Sequence, residues 1–156
     1  MGIVIDANVL ACVFNDNHSE YKEFLPIRNW VSSGKGFYIF GGEKYKAELL
    51  KSGFTKLFRL LKDSGKALAI NDNLVDEYEK DVILKISDNK CDDPHIVALL
   101  AVSRCFLLAS HDARSFDYIK DRTLYPKGMK VVKIYQKREH ANLLVEVSLT
   151  KIKNTV

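Results

Sequence analysis

The chain has 156 residues, with 24 Lys or Arg against 20 Asp or Glu for a net charge of +4, and it is 47% hydrophobic and 28% charged. These values fit a single globular domain over residues 1–156 and argue against a disordered, membrane or two-domain chain. No apolar run approaches the roughly 18 residues of a spanning helix and no charged-then-apolar leader precedes Ile3, so a cytoplasmic protein without membrane contact is expected.

In chain order, IVI (3–5) is a short continuous apolar run that fits a buried strand, and it leads through Asp6 into VLACVF. SEYKEFLPIRNWVSSG keeps Phe24, Ile27, Trp30 and Val31 at helical spacing until Gly34. GFYIFGG reads as a strand stopped by Gly41 and Gly42. EKYKAELLK predicts a helix, and FTKLFRLLKDSG a second one with Leu57, Leu60 and Leu61 on one face and Gly65 as its stop. KALAI alternates like a strand. LVDEYEKDVILKI places Val75, Tyr78, Val82 and Ile86 at helical spacing, with Asp72 or Asn73 as its cap. After the polar loop SDNKCDD, PHIVALLAVSR is a helix with Pro94 suited to its first position. CFLLAS reads as a buried strand, SFDYIK as a short helix, MKVVKIY as a further strand and REHANLLVEV as a closing helix. No repeat, low-complexity tract or linker divides the chain.

Strands separated by helices in this order predict an α/β fold, a three-layer sandwich around a mainly parallel central sheet. In such sheets ligands bind at the carboxyl ends of the strands, where the strand order reverses. Asp6 ends the first strand and Asp112 follows CFLLAS by two residues, so both carboxylates fall on that rim. Asp92 and Asp93 precede the helix that feeds this later strand. Either Glu43 or Glu48 reaches the same mouth, but not both, because five residues turn a helix by about 140°. Carboxylates from four separate segments repel each other unless cations lie between them. Oxygen ligands without thiolate or paired histidine suit Mg²⁺ or Mn²⁺ rather than zinc.

Each acid also has an ordinary reading: Asp93 as a helix cap, Asp6 as a cap on VLACVF, Asp112 as a turn residue and the glutamate as solvated helix surface. Cys12, Cys91 and Cys105 form an odd set without a Cys-x-x-Cys pair and read as small reduced hydrophobes. His18, His95, His111 and His140 lack ligand spacing, and His95 and His111 read as local contacts in the neighbourhood of the substrate. The segment 120–156 holds nine Lys or Arg against three acids, a basic ending of +6 on an otherwise slightly acidic chain. Such a surface near an acidic site suits a polyanionic ligand that approaches carboxylates through metal ions.

Four stretches together resemble the PIN-domain family of small metal-dependent ribonucleases: IVIDANVL, GGEKYKAELL, CDDPHIVALLA and LLASHDARSF, in family order across residues 3–116. The resemblance implies a PIN-like fold and selects Asp6, Glu48, Asp93 and Asp112 as the acidic quartet that binds Mg²⁺ or Mn²⁺ and carries catalysis, preferring Glu48 to Glu43 and Asp93 to Asp92. Asn8, Ser110, Asp92 and Glu43 are expected in supporting places. Arg114, Lys120, Arg122, Lys137 and Arg138 are expected to meet RNA phosphates, and solvated surface is the alternative for each. Leu100 stands where the family usually has a small alanine, and Ser110 where threonine is common. The implied reaction is hydrolysis of RNA to 5′-phosphate and 3′-hydroxyl ends. Small stand-alone members of the family include toxins held by an antitoxin and members that pair as homodimers, so those partners are implied as well. The alternative is a non-catalytic PIN-like module that binds RNA or protein.

Overall fold

The computed structural model describes residues 1–86 and 92–144. Strand β1 (Gly2–Ile5) runs into a 3₁₀ turn (Ala7–Val9) and the short helix α1 (Leu10–Phe14), followed by α2 (Tyr21–Ser32) and β2 (Phe37–Gly41). Helices α3 (Glu43–Ser52) and α4 (Thr55–Asp63) lead to β3 (Ala67–Ile70). Next come α5 (Asp72–Lys85), α6 (Pro94–Ser103) and β4 (Leu107–Ala109). A 3₁₀ turn (Ala113–Ser115), α7 (Phe116–Ile119), another turn (Arg122–Leu124), β5 (Lys133–Tyr135) and a last 3₁₀ turn (Arg138–Ala141) complete the described chain.

Among the described residues the strands form one all-parallel sheet in the order β3-β2-β1-β4-β5. Val4 pairs with Ile39 on one side and Leu108 on the other, so β1 is central. A central parallel strand is covered on both faces, which is why Ile3, Val4 and Ile5 are all apolar and all fully buried. Travel across the sheet runs from β1 to β3 and then jumps back to β4. With right-handed crossovers that reversal sends the later helices to the opposite face, giving the three-layer α/β sandwich expected from the sequence. On one face Phe14, Tyr38, Phe54 and Phe58 pack ring to ring from α1, β2 and the α3–α4 region. Helix α6, buried along Pro94–Ala101, crosses β1, β2 and β3.

Several local expectations need correction. The cap of α5 is Asn71, whose side chain accepts from the Leu74 N–H at 3.2 Å, and neither Asp72 nor Asn73 serves. Asp72 is drawn away by other donors: its carboxylate accepts from the Gly42 N–H at 2.9 Å and pairs with Lys46 Nζ at 2.6 Å. Leu60 is 66% exposed, and the buried face of α4 runs instead through Leu57, Phe58 and Leu61. Leu60 sits off the edge of that seam, one position before Leu61. Strands β4 and β5 are three residues each, shorter than CFLLAS and MKVVKIY. The expected closing helix begins as the turn Arg138–Ala141, and its end lies outside the described residues, as do Cys91, most of the polar loop before Asp92 and the last part of the basic ending. Among the described residues no helix is long and apolar enough to cross a membrane.

Candidate functional site

The sheet order reverses between β1 and β4, so the crevice at their carboxyl ends is the natural ligand site. Asp6 leaves the end of β1 there and is 7% exposed. Its Oδ2 accepts from Ser110 Oγ, at the end of β4, at 2.9 Å, and its Oδ1 from the Asn8 N–H at 3.4 Å. Ser110 Oγ in turn accepts from the Asp112 N–H at 3.1 Å. One hydroxyl thus fixes two acidic residues from two strands.

Helix α3 brings Glu48. Tyr45, one turn earlier, is fully buried with its hydroxyl donating to the Ile5 carbonyl at 2.5 Å and touching the Tyr38 hydroxyl. That anchor turns the Glu48 face of α3 toward the end of β1. Glu43 lies on another face; it is exposed, and its N–H donates to Asp76 Oδ1 at 3.0 Å. The structure therefore places Glu48, and not Glu43, at the crevice.

Helix α6 must return toward the start of β4, so its N-terminus sits on the same rim. Asp93 is the residue before that helix, yet its side chain makes no capping hydrogen bond. It shares a hydrogen bond with Asp112. Asp112 is also held by Ser115 Oγ at 2.9 Å and by Arg114 Nε at 3.7 Å. Asp92 points outward and pairs with Arg114 Nη2 at 3.1 Å. Asp6, Ala7, Asn8, Glu48, Lys51, Ser52 and Asp93 line one open cleft, with Asp112 bonded to its edge through Asp93.

The electrostatics follow from this crowding. Burial raises the Asp6 carboxyl above its ordinary value, against the opposing hydrogen bonds of Ser110 and Asn8. Asp93 rises to about 7, chiefly through burial, then through the hydrogen bond shared with Asp112 and the nearby Asp6 charge. Burial also presses on Asp112, but the hydrogen bonds from Asp93 and Ser115 and the charge of Arg114 outweigh it and hold it below its ordinary value. An acid raised to about 7 by burial and by neighbouring carboxylates gives up its proton readily to an incoming divalent cation, and oxygen donors of this kind suit such an ion. The ligand atoms of Glu48, Asp93 and His95 lie within 4.8 Å of one another.

His95, expected as a local contact, has Glu48 as a partner that its sequence position did not announce. It is 2% exposed, and its Nε2 lies 3.1 Å from Glu48 Oε2. The signal available beforehand was its place two residues after Asp93 in the first turn of α6. Lys51 and Ser52, one turn beyond Glu48, were likewise not singled out from the sequence. A second polar group, Cys12, His18 and Glu20, lies on the α1–α2 side, where Cys12 Sγ is 3.9 Å from His18 Nε2 and 3.5 Å from Glu20 Oε2. His18 Nδ1 accepts the Glu20 N–H at 3.1 Å, so Nε2 carries the ring hydrogen toward sulfur and is no metal donor. Burial lifts the Cys12 thiol to about 11, which keeps it an inert buried thiol, as the cysteines were expected to be.

The expected phosphate partners divide by position. Arg114 stands beside the quartet with its side chain 80% exposed. Lys137 and Arg138 follow β5 on the same rim, Lys137 beside Glu139 at 3.5 Å and Arg138 donating its N–H to Glu23 at 2.9 Å. Lys120 and Arg122 lie on the connection that runs from the end of β4 to the opposite end of the sheet, where β5 begins. No family model, no curated protein and no solved structure matches the chain.

Proposed function

We propose that the protein is a divalent-metal-dependent ribonuclease of the PIN-domain kind, with Mg²⁺ or Mn²⁺ held by Asp6, Glu48, Asp93 and Asp112. The observation that carries this reading is the convergence of four carboxylates from four separate segments at the β1–β4 crevice, where burial and then the neighbouring acids raise Asp93 to about 7. RNA as the substrate, and 5′-phosphate and 3′-hydroxyl products, are what the resemblance of the four motifs to PIN domains implies. A bound divalent ion supplies Lewis acidity toward water and offsets charge on the phosphodiester.

The chain's own groups do the holding. Ser110 and the Asn8 N–H orient the Asp6 carboxylate, so that it needs no rearrangement to meet a cation. Asp93 releases its shared proton when a cation enters. Asp112 keeps its charge through Ser115 and Arg114. Arg114 and Lys51 stand at the mouth as partners for substrate phosphates. Hydrolysis through water needs no protein nucleophile, and the buried Cys12 thiol supplies none.

The test is cleavage of single-stranded and structured RNA with Mg²⁺, Mn²⁺ or chelator, by wild type and by Asp6→Asn and Glu48→Gln. The reading expects chelator to abolish cleavage and each variant to lose at least about 100-fold while keeping its fold, the scale on which a key electrostatic interaction acts. Cleavage that survives in either variant, or that ignores chelator, overturns it.

A further inference from the structure

Resting on the metal-binding reading above, we propose that His95 is a positioning residue: its Nε2–H fixes one oxygen of Glu48 and turns the other toward the cation, while the imidazole itself stays out of the ligand set.

The distance alone leaves two roles open. Nε2 lies 3.1 Å from Glu48 Oε2, and a ring nitrogen of His95 lies within 4.8 Å of ligand oxygens of both Glu48 and Asp93, close enough for nitrogen and oxygens to share one ion. The other ring nitrogen decides between them. Nδ1 is buried and, among the described residues, has no hydrogen-bond partner. A histidine that ligates through Nε2 carries its hydrogen on Nδ1, and ligating histidines almost always donate that hydrogen to a carbonyl, carboxylate or water. Here that N–H would be buried without an acceptor among the described residues. Glu48 Oε2 can only accept, so the hydrogen belongs on Nε2, and the buried Nδ1 presents its lone pair.

The consequence reaches across the fold. Glu48 is on α3 and His95 on α6, which cover the sheet from different segments of the chain, and this one hydrogen bond ties them at the crevice. Without it Glu48, a partly exposed side chain with three rotatable bonds, is free to swing into solvent. The ligand set stays all oxygen, the donors suited to hard ions.

The experiment measures Mn²⁺ affinity by calorimetry for wild type, His95→Gln and His95→Asn, with melting temperature and circular dichroism as checks on the fold. It adds electron spin-echo modulation of bound Mn²⁺, which detects a directly coordinated nitrogen. Gln places an N–H near the position of Nε2, whereas Asn reaches only as far as Nδ1. The expected result is an affinity weaker by about 10- to 100-fold in H95N, the scale on which support behind a ligand acts, with affinity largely kept in H95Q and no coordinated nitrogen in wild type. H95N binding as tightly as wild type, H95Q falling as far as H95N, or a nitrogen signal that vanishes in H95Q overturns the proposal. Should H95N fail to fold, the H95Q affinity and the wild-type spectrum still decide it. Wild type that takes up no Mn²⁺ overturns the metal reading itself, and this inference with it, which separates the two failures.

Discussion

A single side chain, Asp93, shows how the acidic crevice bears on stability. Its folded pKa of about 7 lies above the ordinary 3.8, so the folded state binds a proton that the unfolded state has already released. Stability from this group is therefore present at low pH and falls as pH rises toward 7. Burial moves Asp6 in the same direction, whereas Asp112, held low, contributes stability that is lost only on acidification below the usual carboxylate range. Thermal melts in chelator should show wild type losing stability between about pH 4 and 7. Asp93→Asn, whose amide can still donate to Asp112, should lose less over that range. Excess Mn²⁺ at the alkaline end should restore wild type and leave D93N unchanged. A wild-type profile that stays flat across the range, or one identical in D93N, contradicts the assignment.

At the scale of elements, the aim of α3 is set by its ends and by one buried tyrosine. Gly42 precedes the helix with φ +86° and ψ 143°, a conformation nearly closed to residues with a Cβ. A Cβ there would meet Val75 Cγ1 at 2.7 Å. Gly42→Ala should lower unfolding free energy by about 1–3 kcal/mol in urea titration, and it should also weaken divalent binding, since α3 carries Glu48. A stable G42A protein with unaltered Mn²⁺ affinity would show that α3 is not positioned in this way. The α5 cap offers a control away from the site: Asn71→Ala should cost about 1 kcal/mol and leave metal affinity unchanged. Asp72 could not have been separated from Asn71 as the cap by local spacing, because the donors that claim it, Gly42 N–H and Lys46, lie on the far side of α4 and β3 in sequence.

For the whole molecule, the all-parallel order divides the basic residues that lie together in the sequence. Lys137 and Arg138 stand on the rim that holds the carboxylates, whereas Lys120 and Arg122 sit on the chain as it descends to the other end of the sheet. Charge reversal at Lys137 and Arg138 should weaken single-stranded RNA binding and lower the salt slope of log K by about 0.7 for each phosphate that is no longer neutralised. Reversal at Lys120 and Arg122 should do distinctly less. Equal effects in fluorescence-anisotropy titrations over a salt series would mean that charge acts diffusely, without a path across the rim.

Much of this was legible in the chain. Continuous apolar runs at Ile3–Ile5 and Leu107–Ala109, separated by helical periods, specify a covered parallel sheet, because only strands buried on both faces tolerate such runs. An aspartate immediately after the first of them is then committed to the carboxyl rim. Spacing also said that Glu43 and Glu48 could not both face the crevice, though not which one would, since that depended on Tyr45 reaching the Ile5 carbonyl. The Ser110–Asp6 hydrogen bond joins residues 104 positions apart and His95–Glu48 joins residues 47 apart. Local patterning carries no record of such pairs. They exist because strand order places β4 beside β1 and brings the start of α6 to the same rim, so the acidic residue types were written in the sequence while their orientation came from the tertiary packing of segments that never meet along the chain.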